Sequence, residues 1–182
     1  MIRTHVAWRA ALAAGAFCLC LPSVAAAQSK GFALDRFDPS ERGSDWFVLD
    51  SLDFRGHERP AAGLVLEYAY LPLAVYNADG SLRSKLVQDS LVVHPGASIV
   101  MWDRYRAGFD LPIYAWQDGQ TSSLGTSTFK SPSENIGDLR LGVDARIYGT
   151  YGDVFTLAGG FGLYVPTGSR SDFTGDGITR FE

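Results

Sequence analysis

Between Asp138 and Tyr148 the chain reads Leu139-Arg140-Leu141-Gly142-Val143-Asp144-Ala145-Arg146-Ile147. Leu139, Leu141, Val143, Ala145 and Ile147 hold one parity, and Arg140, Gly142, Asp144, Arg146 and Tyr148 hold the other. A period of two with one wholly apolar face predicts a β-strand. The second face mixes both signs of charge with glycine. That combination suits a narrow polar interior better than an open aqueous surface.

The same pattern extends in both directions. Val154 to Val165 places Phe155, Leu157, Phe161, Leu163 and Val165 opposite Thr156, Ala158, Gly160, Gly162 and Tyr164. Ile99 to Ala115 reads as one further strand, with Arg104, Arg106, Gly108 and Asp110 on its polar side. Gly63–Tyr76 and Lys85–Val93 are also strand-like, although Glu67 or Asp89 falls on the apolar face in one choice of register. A further strand is expected to begin at Ile178. The connections alternate. Residues 76–84, 117–137 and 167 onward are long and polar, whereas His94-Pro95-Gly96 and Gly149-Thr150-Tyr151-Gly152 read as tight turns. An apolar-Pro step recurs at Leu71-Pro72, Leu111-Pro112 and Val165-Pro166, where strand pairing is expected to end or bulge.

Alternating loop lengths, small residues on the polar face and aromatics near strand ends predict an all-β, antiparallel up-and-down transmembrane β-barrel over residues 61–182. The expected interfacial aromatics are Tyr76, Tyr114, Trp116 and Tyr164 at the loop end and Trp102, Tyr148 and Tyr151 at the turn end. Arg104, Arg106, Asp110, Arg140, Asp144 and Arg146 form the expected lumen charge network. It reads either as a plug of paired charges or as a conduit whose arginines favour anions. A soluble lipocalin-like barrel and a sandwich are the competing folds. The smallest single-chain membrane barrels use about eight strands, so this chain is expected to be an incomplete barrel from a longer protein.

Residues 1–27 read as a Sec-type signal peptide. Arg3 and Arg9 precede an apolar run from Ala10 to Leu21, and Ala25-Ala26-Ala27 supplies the small-residue cleavage site. Its removal takes both cysteines, so no disulfide is expected in the exported chain. Residues 28–60 are polar and without period, and read as an N-terminal periplasmic extension or short cap.

Composition narrows the function. The 182-residue chain is 46% hydrophobic with a formal net charge of −4, and it offers no basic stripe for nucleic acid. His57 and His94 have no neighbouring nucleophile or metal-ligand spacing, and both read as surface residues. No catalytic residue and no cofactor is assigned, so an enzyme is not expected. Asp172-Phe173-Thr174-Gly175-Asp176-Gly177 partly matches the start of a calcium loop, which makes Asp172 and Asp176 weak candidates for a cation.

Phe37-Asp38-Pro39-Ser40-Glu41-Arg42-Gly43-Ser44-Asp45-Trp46-Phe47 resembles the segment that follows the signal peptide in outer-membrane proteins of the OmpA family. Gly137-Asp138-Leu139-Arg140-Leu141-Gly142, Val165-Pro166-Thr167-Gly168 and Thr174-Gly175-Asp176-Gly177 resemble that group's barrel. The resemblance implies the Gram-negative outer membrane, lipid as the surrounding partner, and an envelope-integrity role. It also implies a tether to peptidoglycan through a C-terminal domain, which nothing in these residues matches. A passive porin-like channel and a soluble exported binding barrel are the alternative functions.

Overall fold

In the computed structural model, residues 31–124 and 127–182 are described, so the expected signal peptide lies outside the described residues. The strands are β1 (Glu58–Tyr76), β2 (Leu82–Met101), β3 (Tyr105–Asp110), β4 (Ile113–Asp118), β5 (Ser122–Leu124), β6 (Ser127–Phe129), β7 (Asn135–Ile136), β8 (Leu139–Tyr148), β9 (Leu157–Val165) and β10 (Arg180–Phe181). Eight of them form one antiparallel sheet, and β5 and β6 pair as a separate hairpin within the long loop. β1 pairs with β2; β3 and β4 lie end to end along the other side of β2; β8 and β7 follow them, then β9 and β10. This is an up-and-down meander. The sheet is all-β and open: β1 and β10 are its two ends. Among the described residues, no helix is long and apolar enough to cross a membrane, which does not bear on crossing by strands.

The expected strand over 99–115 is corrected. Trp102 and Asp103 adopt left-handed backbone angles (φ 52° and 54°), and Arg104 N donates to Met101 O at 3.1 Å. The chain therefore reverses at Trp102–Arg104. Two successive left-handed residues give the mirror-image turn that matches hairpin twist. Neither is glycine, so the neighbouring chain must hold them there. The amides of Trp102 and Asp103 donate to the carbonyls of His57 and Gly56, and Asp103 Oδ1 accepts from Gly56 N at 2.7 Å. The turn expected at His94-Pro95-Gly96 does not exist. β2 runs straight through it, with Pro95 opposite Leu64. On its other side Pro95 meets the gap between β3 and β4, where Leu111 N donates to its carbonyl. A residue without an N–H is tolerated at such a break.

All three apolar-Pro steps interrupt pairing. Register shifts around Leu71-Pro72, β3 gives way to β4 at Leu111-Pro112, and β9 ends at Val165. The Glu67/Asp89 ambiguity resolves by register. Glu67 lies opposite Val92 on the inner face. Asp89 is on the outer face, where the Tyr68 hydroxyl donates to it at 2.5 Å.

The pairing lines up residues across the inner face. One row runs Gly63, Gly96, Asp110, Arg140, Tyr164 and Arg180; the next runs Ala61, Ser98, Gly108, Gly142 and Gly162; a third runs Arg59, Val100, Arg106, Asp144 and Gly160. Residues 31–57, read from sequence as an extension, lie against these rows. Phe54 within that segment is 1% exposed.

Candidate functional site

The inner face and its N-terminal plug form a core made largely of paired charges. Arg42 reaches through the plug to Asp110 at 2.5 Å and donates to the carbonyls of His94 at 2.7 Å and Ser40 at 3.0 Å. Arg106 binds Asp144 at 2.9 Å and the Ser51 carbonyl at 2.9 Å, and its guanidinium lies over the Phe54 ring. Arg140 pairs with Asp38 at 3.2 Å and approaches Glu41 at 3.8 Å, and the Tyr164 hydroxyl donates to Asp38 at 2.8 Å. At the loop end Asp176 accepts from the Ala33 amide and pairs with Arg36 and Arg180.

The glycine row makes room for this plug. A Cβ at Gly108 would stand 2.0 Å from Glu41 Oε2, and one at Gly142 would stand 2.3 Å from Glu41 Oε1. Only hydrogen at these positions lets the Glu41 carboxylate sit against the sheet backbone. Burial pushes the Glu41 and Asp38 carboxyls above their ordinary values. Burial also raises Asp35, to about 6, against the lowering effect of the Phe37 amide. Asp53 is the opposite case. Hydrogen bonds from Arg55, then from Arg59, hold it well below the usual carboxylate range. Burial alone would raise Asp176, but the Ala33 amide and Arg36 outweigh it and hold it low.

Of the expected charge network, Arg106, Asp110, Arg140 and Asp144 converge in this core. Arg104 is exposed in the β2–β3 turn, where its Nε donates to the Arg146 carbonyl at 3.1 Å. Among the described residues, neither Arg104 nor Arg146 joins the core ion pairs: the reversal at Trp102 takes Arg104 off the strand, and Arg146 stays on β8 opposite Ala158. Tyr76, Trp102, Trp116, Tyr148 and Tyr151 are exposed. Tyr114 is not: it is 4% exposed, on the inner face opposite Val92. Tyr164 also points inward, to Asp38. Both share the polar parity, and parity overrides their place near a strand end.

His94 is corrected from a surface residue to one 1% exposed. Its Nδ1 lies 3.0 Å from Asp110 Oδ2, and its Nε2 faces Asp35 and Glu67. These three are the group among the described residues whose geometry could hold a metal. Sequence reasoning missed them because they come from the plug, β1 and β2. The available signal was parity: His94 falls in phase with Ser90, Val92 and Ser98. Asp172 and Asp176 do not converge on one point. Asp172 accepts from Ser133, Asn135 and Ser169, while Asp176 is taken by two arginines.

The outer face is the reverse of the inner one. Leu64, Leu66, Ile99, Phe109, Leu141, Val143 and Phe161 all stand exposed there. No protein-family model matches the chain, and no curated protein or solved structure matches it either. What the geometry defines is a class: an open antiparallel meander, apolar outside and charge-paired within.

Proposed function

We propose that this chain is the barrel-forming part of an outer-membrane protein with a structural, envelope-integrity role, as its resemblance to the OmpA family implies. The single observation that carries the reading is the inverted polarity of the sheet. A water-soluble β-protein buries its apolar face and wets its polar one. Here the apolar face is bare and the charged face is buried, which is favourable where lipid covers the outside. The aromatics agree with the level of two membrane interfaces. Exposed Tyr68 and Trp116, both opposite Leu91, mark one level, with Tyr76 beyond it, and exposed Trp102, Tyr148, Tyr151 and Phe155 mark the other. Closure of the sheet in lipid belongs to the same reading, since unpaired edge groups cost several kcal/mol each in hydrocarbon.

The structural role is favoured over the channel because residues 31–57 occupy the inner face and pair its arginines. Peptidoglycan tethering would require a separate domain, and no residue described above is assigned to it. No catalytic step is proposed. The test is to refold the chain into vesicles containing lipid brominated near the headgroups. Tryptophan fluorescence is expected to be quenched, and the protein is expected to resist carbonate extraction. Unquenched fluorescence with release into buffer would overturn the reading in favour of a soluble barrel. In planar bilayers no stable conductance is expected. Ion steps that vanish in Arg106→Glu would establish the channel instead.

A further inference from the structure

The cluster at the junction of plug and sheet has the features of a metal centre. His94 is 1% exposed, yet its Nε2 has no hydrogen-bond partner, and neither does Glu67 Oε2. Buried polar atoms are rarely left unpaired, so two facing orphans call for a missing partner. Nε2 lies 3.5 Å from Asp35 Oδ2 and 3.6 Å from Glu67 Oε2, and all three ligand atoms lie within 4.8 Å of one another. Ligands about 2.0–2.1 Å from a tetrahedral zinc ion stand roughly 3.4 Å apart. The two imidazole–carboxylate separations are close to that spacing.

The surroundings orient each ligand. His94 Nδ1 sits 3.0 Å from Asp110 Oδ2, and Arg42 holds the other Asp110 oxygen at 2.5 Å. A neutral ring that donates Nδ1–H to Asp110 would direct its Nε2 lone pair at Asp35 and Glu67. That is the carboxylate–histidine–metal relay that fixes ring orientation in zinc sites. The Phe37 ring meets the imidazole edge-to-face at 5.6 Å, and the Phe37 amide binds Asp35 Oδ1 at 2.7 Å, which leaves Oδ2 for the metal. A cavity of about 130 Å³, lined by Asp35, Glu67, Ser90, Tyr114 and Gln117, adjoins the cluster and has room for a water as fourth ligand.

We propose that Asp35, Glu67 and His94 bind one divalent transition-metal ion of the zinc class. Imidazole nitrogen selects such ions over calcium and magnesium, which take oxygen. Because Asp35 belongs to the plug while Glu67 and His94 belong to the sheet, the ion pins one to the other. The site does not depend on what covers the outer face, so it stands or falls separately from the membrane reading.

The test is to add Co²⁺ to the full chain, refolded and stripped with chelator. We expect one Co²⁺ per chain with the visible absorption of a tetrahedral nitrogen–oxygen site, bleached by stoichiometric Zn²⁺. Zn²⁺ is also expected to raise the thermal midpoint. Glu67→Gln and His94→Gln are each expected to weaken binding by about 100-fold or more, while Asp172→Asn in the outer loop leaves it unchanged. Glu67 is partly exposed, so its variant decides the matter if His94→Gln does not refold. No Co²⁺ uptake by the wild-type chain, or uptake that survives Glu67→Gln in folded protein, would overturn the proposal.

Discussion

On the outer face Leu64, Leu66, Val143 and Phe161 are 54–63% exposed, while on the inner side Arg42, Arg106 and Asp110 are below 10%. The two sides of one sheet thus reverse the usual distribution of polarity. Among the described residues nothing covers those outer apolar side chains, so their free energy depends on the surrounding solvent. The inner side is held by ion pairs whose desolvation cost is offset only while each charge keeps its partner. A change on one side should therefore depend on the bilayer, and a change on the other should not.

The largest effect is expected from removing one member of the buried set. Arg42→Ala leaves Asp110 without its guanidinium, and should cost about 3–5 kcal/mol in a denaturation series followed by tryptophan fluorescence. The loss should be alike in detergent and in vesicles. Next comes Val143→Arg on the outer face. It should cost about 2–4 kcal/mol in vesicles if it sits near the bilayer midplane. If instead it improves solubility without lipid, the contrast between the faces has been misread. Gly142→Ala puts a methyl group where the Glu41 carboxylate lies, and should cost about 1–3 kcal/mol by overpacking. Adding Glu41→Ala to that variant should recover part of the loss, since the clash is with that side chain.

The smallest effect concerns pH. Asp53 has a lower pKa folded than unfolded, so it stabilises the chain at and above neutral pH. That contribution falls away as pH drops below about 4, the unfolded value. Asp53→Asn should lower the thermal midpoint at pH 7 and make progressively less difference toward pH 2. A constant difference across that range would mean that packing, not the Arg55 and Arg59 pairing, carries the effect.

Much of the sheet was legible because its side chains alternate. Strand β8, the pairing of β8 with β9, the long loop after Asp118 and the role of the proline steps all follow from period two and missing N–H groups, although β9 begins at Leu157 and the turn expected at 149–152 extends to Thr156. The Trp102 turn was not legible, because the alternation of residues 99–115 continues through it with Asp103 as its only break. Its left-handed angles are held in part by hydrogen bonds to distant backbone, at Gly56 and His57. The core charges on β3 and β8 were visible as a set. Their partners Asp38, Glu41 and Arg42 were not, because the plug has no period and its pairing is fixed by tertiary contact. His94 was misjudged because Pro95-Gly96 resembles a turn when the neighbouring strands are unseen.

The plug also has a bearing on the order of folding. Asp38 meets Tyr164 across 126 positions of chain, and the Ala33 amide meets Asp176 across 143. Closing loops of that length is slow compared with forming the hairpins. The plug thus finds its seat only after β8, β9 and the loop beyond them are in place. It precedes every strand of the sheet in the chain and is among the last parts to become native. In the interval Arg140 faces water without Asp38 and Glu41, and Asp110 without Arg42, while Arg106 and Asp144 already pair across β3 and β8.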